Sequence, residues 1–219
     1  MDYIDTMNAY LPIVIGFVLT LSFLLLMMVF RSLVIPLKAI VMNLLSVGAA
    51  YGLLVLVFQE GVGADLLGFQ QSDSIAAFLP VFLFAILFGL SMDYHVFLLS
   101  RIQERFGETG DNAASVAYGL RSTAHIITGA AAIMMVVFSG FAMGEMVEMQ
   151  QMGFGLAVAV FLDATIVRSV LVPASMQLLG ARNWYFPRWL NWLPKIQVEG
   201  ESAAPPPAVE TARELELAA

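Results

Sequence analysis

Residues 75–99 read IAAFLPVFLFAILFGLSMDYHVFLL, and this stretch decides what kind of protein the chain is. A helix needs roughly 20 mostly apolar residues to cross a hydrocarbon core of about 30 Å. The stretch is longer than that and is apolar throughout except at Asp93-Tyr94-His95. It predicts a membrane-spanning helix with an acid set inside it.

Four more segments of this kind flank it. Residues 11–30 and 39–58 carry no charge, and 123–143 is rich in Ala, Gly, Ile and Met. Residues 152–171 hold Asp163 and Arg168, and continue past Pro173 as an apolar tail to Leu179, stopping at Gly180. The whole chain agrees: of 219 residues, 60% are hydrophobic and 12% charged, against about 45–50% and about 25% in soluble domains. The mean hydropathy is +0.84. The expected fold class is therefore all-α, a polytopic membrane bundle of five transmembrane helices.

Charge then orients the bundle. Basic residues gather on the cytoplasmic side of membrane proteins. With residues 1–10 placed outside, the inner segments are 31–38, 100–122 and everything after about 168. These contain Arg31, Lys38, Arg101, Arg105, Arg121, Arg168, Arg182, Arg188, Lys195 and Arg213, which are all ten Lys and Arg residues. The outer segments hold only acids: Asp2, Asp5, Glu60, Asp65, Asp73, Glu145 and Glu148. The reading is an N-terminus outside and a C-terminus in the cytoplasm of a bacterial inner membrane. Its parts are an extracytoplasmic stub (1–10), a bundle (11–180), an interfacial segment (181–196) and a disordered tail (197–219). Trp184, Tyr185, Phe186, Trp189 and Trp192, with Arg182, Arg188 and Lys195, give the interfacial segment its character. In the inner loop, Asp111-Asn112-Ala113-Ala114 reads as a helix cap. Residues 113–120 read as a short interfacial helix, separate from the fourth span.

Composition also excludes several function classes. A net charge of −7 leaves no basic footprint for nucleic acid. The absence of cysteine removes disulfides, thiolate metal sites and cysteine nucleophiles together. No P-loop, HExxH or GxSxG is present. His95 and His125 fall on different spans, so no metal site and no cofactor are expected. An enzyme is not expected either, since Asp93 and Asp163 alone could form a catalytic acid pair.

Those two acids are where chemistry is expected. A charge at a helix centre costs about 2.5–3.5 kcal/mol on insertion scales. Asp93 lies eight residues before Arg101, hence about 12 Å inward at 1.5 Å per residue. That is too deep for a short carboxylate to reach headgroups, so it must face protein or water, where it could bind and release a proton. Tyr94 is the adjacent residue and points about 100° away, so the two must engage different partners. Gly89, one turn earlier on the Asp93 face, would admit a second helix closely, with Ser91 beside it. His95, of the residue type that exchanges protons near neutrality, is a secondary candidate or a packing residue. Asp163 is a relay group or a structural acid. Five-residue spacing is not ideal for a direct pair, so Arg168 is expected to snorkel or to bond to another helix. His125, Thr128, Gly129 and Ala132 form a small, polar stripe of the kind found at helix interfaces.

The run Gly89-Leu90-Ser91-Met92-Asp93-Tyr94-His95-Val96-Phe97-Leu98-Leu99, with Arg101 and Glu104, resembles the signature of the MMPL branch of the resistance–nodulation–division superfamily. So do Phe30-Arg31-Ser32 ahead of Pro36 and Lys38, the run Phe154 to Ala159 followed by Asp163 to Arg168 and Pro173, and the closing Asn183-Trp184 and Pro187-Arg188-Trp189-Leu190. The resemblance implies an exporter of lipids or other hydrophobic compounds, driven by the proton-motive force. Members have twelve spans in two halves, with Asp-Tyr pairs that face each other and relay protons. Asp93 and Tyr94 match the pair of the second half, and the five spans match the last five of twelve. The chain therefore reads as a fragment or one part of a split transporter. Its expected partners are the bilayer, the N-terminal half, protons and a lipid or hydrophobic substrate. The alternative is a non-pumping module of sterol-sensing type, or a scaffold, that binds lipid and in which Asp93 is structural.

Overall fold

The computed structural model describes residues 3–187 and is helical through most of them, with no strand among the described residues. The helices are α1 (Tyr3–Phe30), α2 (Val34–Phe58), α3 (Ala64–Leu67), α4 (Leu79–Thr109), α5 (Asn112–Ala142) and α6 (Val147–Leu162). α6 runs directly into a π-helical segment, Asp163–Leu171, and then into α7, Val172–Leu179. A 3-10 turn, Gly180–Trp184, follows. Five helical rods are long and apolar enough to cross a membrane, the fifth being Val147–Leu179 as a whole. This is the expected number of spans.

The helices run beyond their apolar segments, because hydropathy marks the edge of the hydrocarbon and not the edge of the helix. α4 passes Leu99 and reaches Thr109. Its polar last turns carry Arg101–Glu104 at 3.0 Å and Arg105–Glu108 at 2.8 Å, both pairs at helical i,i+3 spacing. Gly110, at φ 68°, ends it. One residue on, the Asp111 carboxylate accepts from the Ala113 and Ala114 amides at 2.9 and 3.1 Å and caps α5. The cap is where the sequence places it, but the separate interfacial helix over 113–120 is not found. α5 is one rod from Asn112 to Ala142, because Ser115, Val116, Gly119, Thr123, Ile127 and Ala131 form a continuous buried stripe.

The close approaches also differ from expectation. His125, Thr128, Gly129 and Ala132 are exposed, and no atom lies within 4 Å of a Cβ built on Gly129, so the stripe is not a close helix interface among the described residues. The glycine that admits a neighbour on α5 is Gly119, where a Cβ would lie 2.3 Å from Ile102 Cγ1 of α4. On α6, Gly153 lets the backbone of α5 approach: a Cβ there would sit 2.2 Å from Ala142 N and 2.6 Å from Phe138 O.

Two apolar clusters hold the bundle together, one above the other. One, at the Arg-rich end, includes Leu26, Phe30, Ile35, Leu98, Ile102, Val167 and Met176. The other, at the acidic end, includes Leu54, Phe58, Leu79, Leu83, Leu156 and Val160. Each end is also tied by polar contacts. At the acidic end the Gln150 and Gln151 side-chain oxygens accept from the Gln70 and Ala76 amides at 3.1 and 3.2 Å. At the Arg-rich end Ser32 Oγ donates to Asn183 O at 2.5 Å, and Trp184 stacks on Phe106 at 5.0 Å. Trp189, Trp192 and the 197–219 tail lie outside the described residues.

Candidate functional site

Between the two apolar clusters lies a polar layer, built from α2, α4 and the π segment. Asn43, Ser91, His95, Asp163 and Arg168 are all buried there. Buried polar groups need partners, and Ser91 is the hub that supplies most of them. Its hydroxyl is 2.7 Å from Asn43 Oδ1 and 3.0 Å from Asp163 Oδ1. A serine hydroxyl has one proton, so it donates to one of these acceptors at a time. Arg168 Nη2 donates to Ser91 O at 3.3 Å and to Ser91 Oγ at 3.4 Å. The His95 ring adds Nδ1, 3.1 Å from Ser91 O, while its Nε2 is buried with no protein partner.

Asp163 and Arg168 form a direct ion pair through Oδ2 and Nη2. This corrects the expectation drawn from their spacing. In an α-helix, side chains five residues apart point about 140° away from each other. The segment Asp163–Leu171 is instead π-helical, with hydrogen bonds running five residues along the chain. That geometry brings i and i+5 to one face. Ser169 Oγ, 3.0 Å from Ala164 O, shows the same register. The expectation that Arg168 bonds to another helix also holds, through Ser91 on α4.

Tyr94 joins this layer from the side. The Arg168 guanidinium carbon lies 4.7 Å from the Tyr94 ring centroid, in cation–π contact. Asp93 does not join it. Two residues past Ser91, it points about 200° around α4. It is exposed, and among the described residues it makes no hydrogen bond or ion pair. Gly89 shares this open face, with no atom within 4 Å of a Cβ built on it. The sequence-derived residues thus divide into two groups. Ser91, Tyr94, His95, Asp163 and Arg168 meet in one layer, whereas Asp93 and Gly89 stand on a free face of α4 and Thr128 on an exposed face of α5.

Two residues of the layer were not singled out by sequence. Asn43 is the amide inside the otherwise apolar 39–58 run, and Ser46 follows one turn later, with its hydroxyl 3.5 Å from Ala159 O. Amide and hydroxyl at i,i+3 in an uncharged span was the signal that could have found them. A cavity of about 20 Å³ adjoins Asn43, Ser91, Tyr94, Asp163 and Arg168, which is space for a water molecule among groups able to hold one. Chemically the layer offers a cluster of hydrogen-bond donors and acceptors around one carboxylate, with Asn43 Nδ2, His95 Nε2 and Arg168 Nε left without a partner among the described residues. No group of three or more His, Cys, Asp or Glu able to hold a metal occurs among the described residues.

Residues 2–197 match the sequence profile of the MMPL family. The chain is 47% identical over 199 residues to the heme uptake protein MmpL11 of Mycobacterium tuberculosis, covering 90% of this chain and 20% of that protein. It is 45% identical to the mycolic acid-containing lipids exporter MmpL11 of Mycolicibacterium smegmatis, over 95% of this chain and 22% of that one. To the trehalose monomycolate exporter MmpL3 of the same organism it is 35% identical, over 93% and 20% respectively. The chain spans about a fifth of the length of these curated relatives.

Proposed function

This chain belongs to the MMPL family, and on that premise we propose that it is the C-terminal transmembrane part of an exporter of lipids or hydrophobic compounds driven by the proton-motive force. It works with an N-terminal half, on the same or a separate chain, that packs on the open face of α4. The protein is a transporter and not an enzyme.

One observation carries this reading. Asp93 sits midway along a membrane-length helix, exposed and without a partner among the described residues. A bare carboxylate at that depth is costly in lipid, so its partner must come from outside the described residues, and we assign it to the N-terminal half. Gly89, with open space one turn away on the same face, leaves room for a close-packed helix to bring one. The site of coupling then lies at an interface between halves, where transporters built from repeats place it.

Asp93 takes up a proton, loses its charge and loosens its bond across the interface. Tyr94, one residue on, rests on the Arg168 guanidinium and passes the shift to the Asp163–Arg168 pair. Ser91 redirects its one proton between Asn43 and Asp163, and His95 lies next in line. Each proton brings about 2.3 kcal/mol per 100 mV of potential. The test is lipid export by the assembled transporter carrying Asp93→Asn. Loss of export with normal membrane insertion is expected; full export by that variant would sink the proposal.

A further inference from the structure

A second opening lies beside the polar layer, toward the Arg-rich end. It is a cleft of about 400 Å³ between α4, α5 and the π segment, a volume within the range of ligand sites. Leu98, Leu120 and Ile127 form its apolar walls, and Arg121, Thr128 and Arg168 contribute its polar groups. The two guanidinium groups are unequal. Arg168 is buried and bound to Asp163. Arg121 is exposed and makes no ion pair or hydrogen bond with any described residue. The cleft therefore presents one uncompensated cation at its rim and hydrocarbon further in. Ile127 is six residues along α5 from Arg121, about 9 Å of axial rise.

We infer that this cleft binds an anionic phospholipid of the leaflet at the Arg-rich end. Arg121 meets the phosphate through charge-assisted hydrogen bonds, and an acyl chain lies on Leu120 and Ile127. Charge complementarity selects this occupant. A zwitterionic lipid carries its own cation beside the phosphate and gains less from Arg121. A free anion would leave the apolar walls wet. The inference does not depend on proton transfer, since neither Asp93 nor Asp163 contacts the lipid.

Native mass spectrometry of the full chain in detergent tests it, with phosphatidylglycerol and phosphatidylcholine of identical acyl chains. The expected result is preferential retention of phosphatidylglycerol, reduced about tenfold by Arg121→Gln, as for the loss of one good charged contact. Arg101→Gln, which removes a charge from the same end but outside the cleft, leaves retention unchanged. Thr128→Phe, which fills the cleft without altering charge, also lowers it, so the result does not hang on one variant. Added millimolar inorganic phosphate leaves the lipid bound. Equal retention by Arg121→Gln and the parent chain overturns the inference. An equal loss with Arg101→Gln shows general surface attraction and overturns it too, as does displacement by inorganic phosphate.

Discussion

Asp163 and Arg168 are ion-paired on a single helical rod although five residues separate them, because the backbone between them is π-helical. Pair and backbone are two aspects of one arrangement: the register aligns the side chains, and the buried pair with its bonds to Ser91 holds the register. π-helical segments are rare and concentrate at functional sites, and this one runs through the buried polar layer.

Removing one partner of this pair should be far worse than removing both charges. Arg168→Ala leaves the Asp163 carboxylate buried and uncompensated, a loss of about 3–5 kcal/mol. The double variant Asp163→Asn with Arg168→Gln keeps hydrogen-bonding groups and should recover much of that. Thermal unfolding of the detergent-solubilised chain, followed by circular dichroism, compares the two. Equal destabilisation by both variants would contradict the pairing.

The Ser91 hub predicts a graded effect. Ser91→Ala removes the donor shared by Asn43 and Asp163, and costs about 1–3 kcal/mol because buried acceptors are left unmet. Ser100→Ala, further along the same helix, half-buried and outside the layer, removes no side-chain hydrogen bond among the described residues and should cost less than about 0.5 kcal/mol. The same unfolding assay separates them.

Glycines divide by what faces them. Gly119→Val drives a side chain into Ile102 and should destabilise by about 1–3 kcal/mol, as overpacking does. Gly89→Val meets open space in this chain. It should be tolerated by the isolated chain but should weaken association with the N-terminal half, read by co-purification. Unimpaired association would mean that the Gly89 face is not where the halves meet.

The fold was legible from sequence to the extent that hydrocarbon dictates it. Five apolar runs gave five spans, since each must satisfy its backbone internally. Helix ends beyond the membrane were less legible. The Arg101–Glu104 and Arg105–Glu108 pairs extend α4 through residues that hydropathy reads as loop. The Asp111 cap was visible because its chemistry is local, but the merging of 113–120 with the fourth span depended on a buried stripe that only packing on α4 reveals. At the site, residue types marked Asp93, Asp163 and Arg168. Their relations were hidden, because residues five apart diverge on an α-helix and meet on the π-helical backbone found here. Asn43 was missed because a lone amide in a span looks unremarkable until Ser91 lies opposite it.

The cap itself offers a check on the α4–α5 junction. Asp111→Ala removes the acceptor for two amides and should lower stability by about 0.5–2 kcal/mol. Asp111→Asn should lower it less. Equal loss in the two variants would show that charge, and not the capping acceptor, is what matters there.

Proton flux tests the central claim most directly. The transporter, assembled with its N-terminal half in liposomes enclosing a pH-sensitive dye, is given an inward proton gradient and lipid substrate. The account predicts substrate-dependent acidification in the parent protein and none with Asp93→Asn, both reconstituting to the same level. Undiminished proton entry through Asp93→Asn would contradict it.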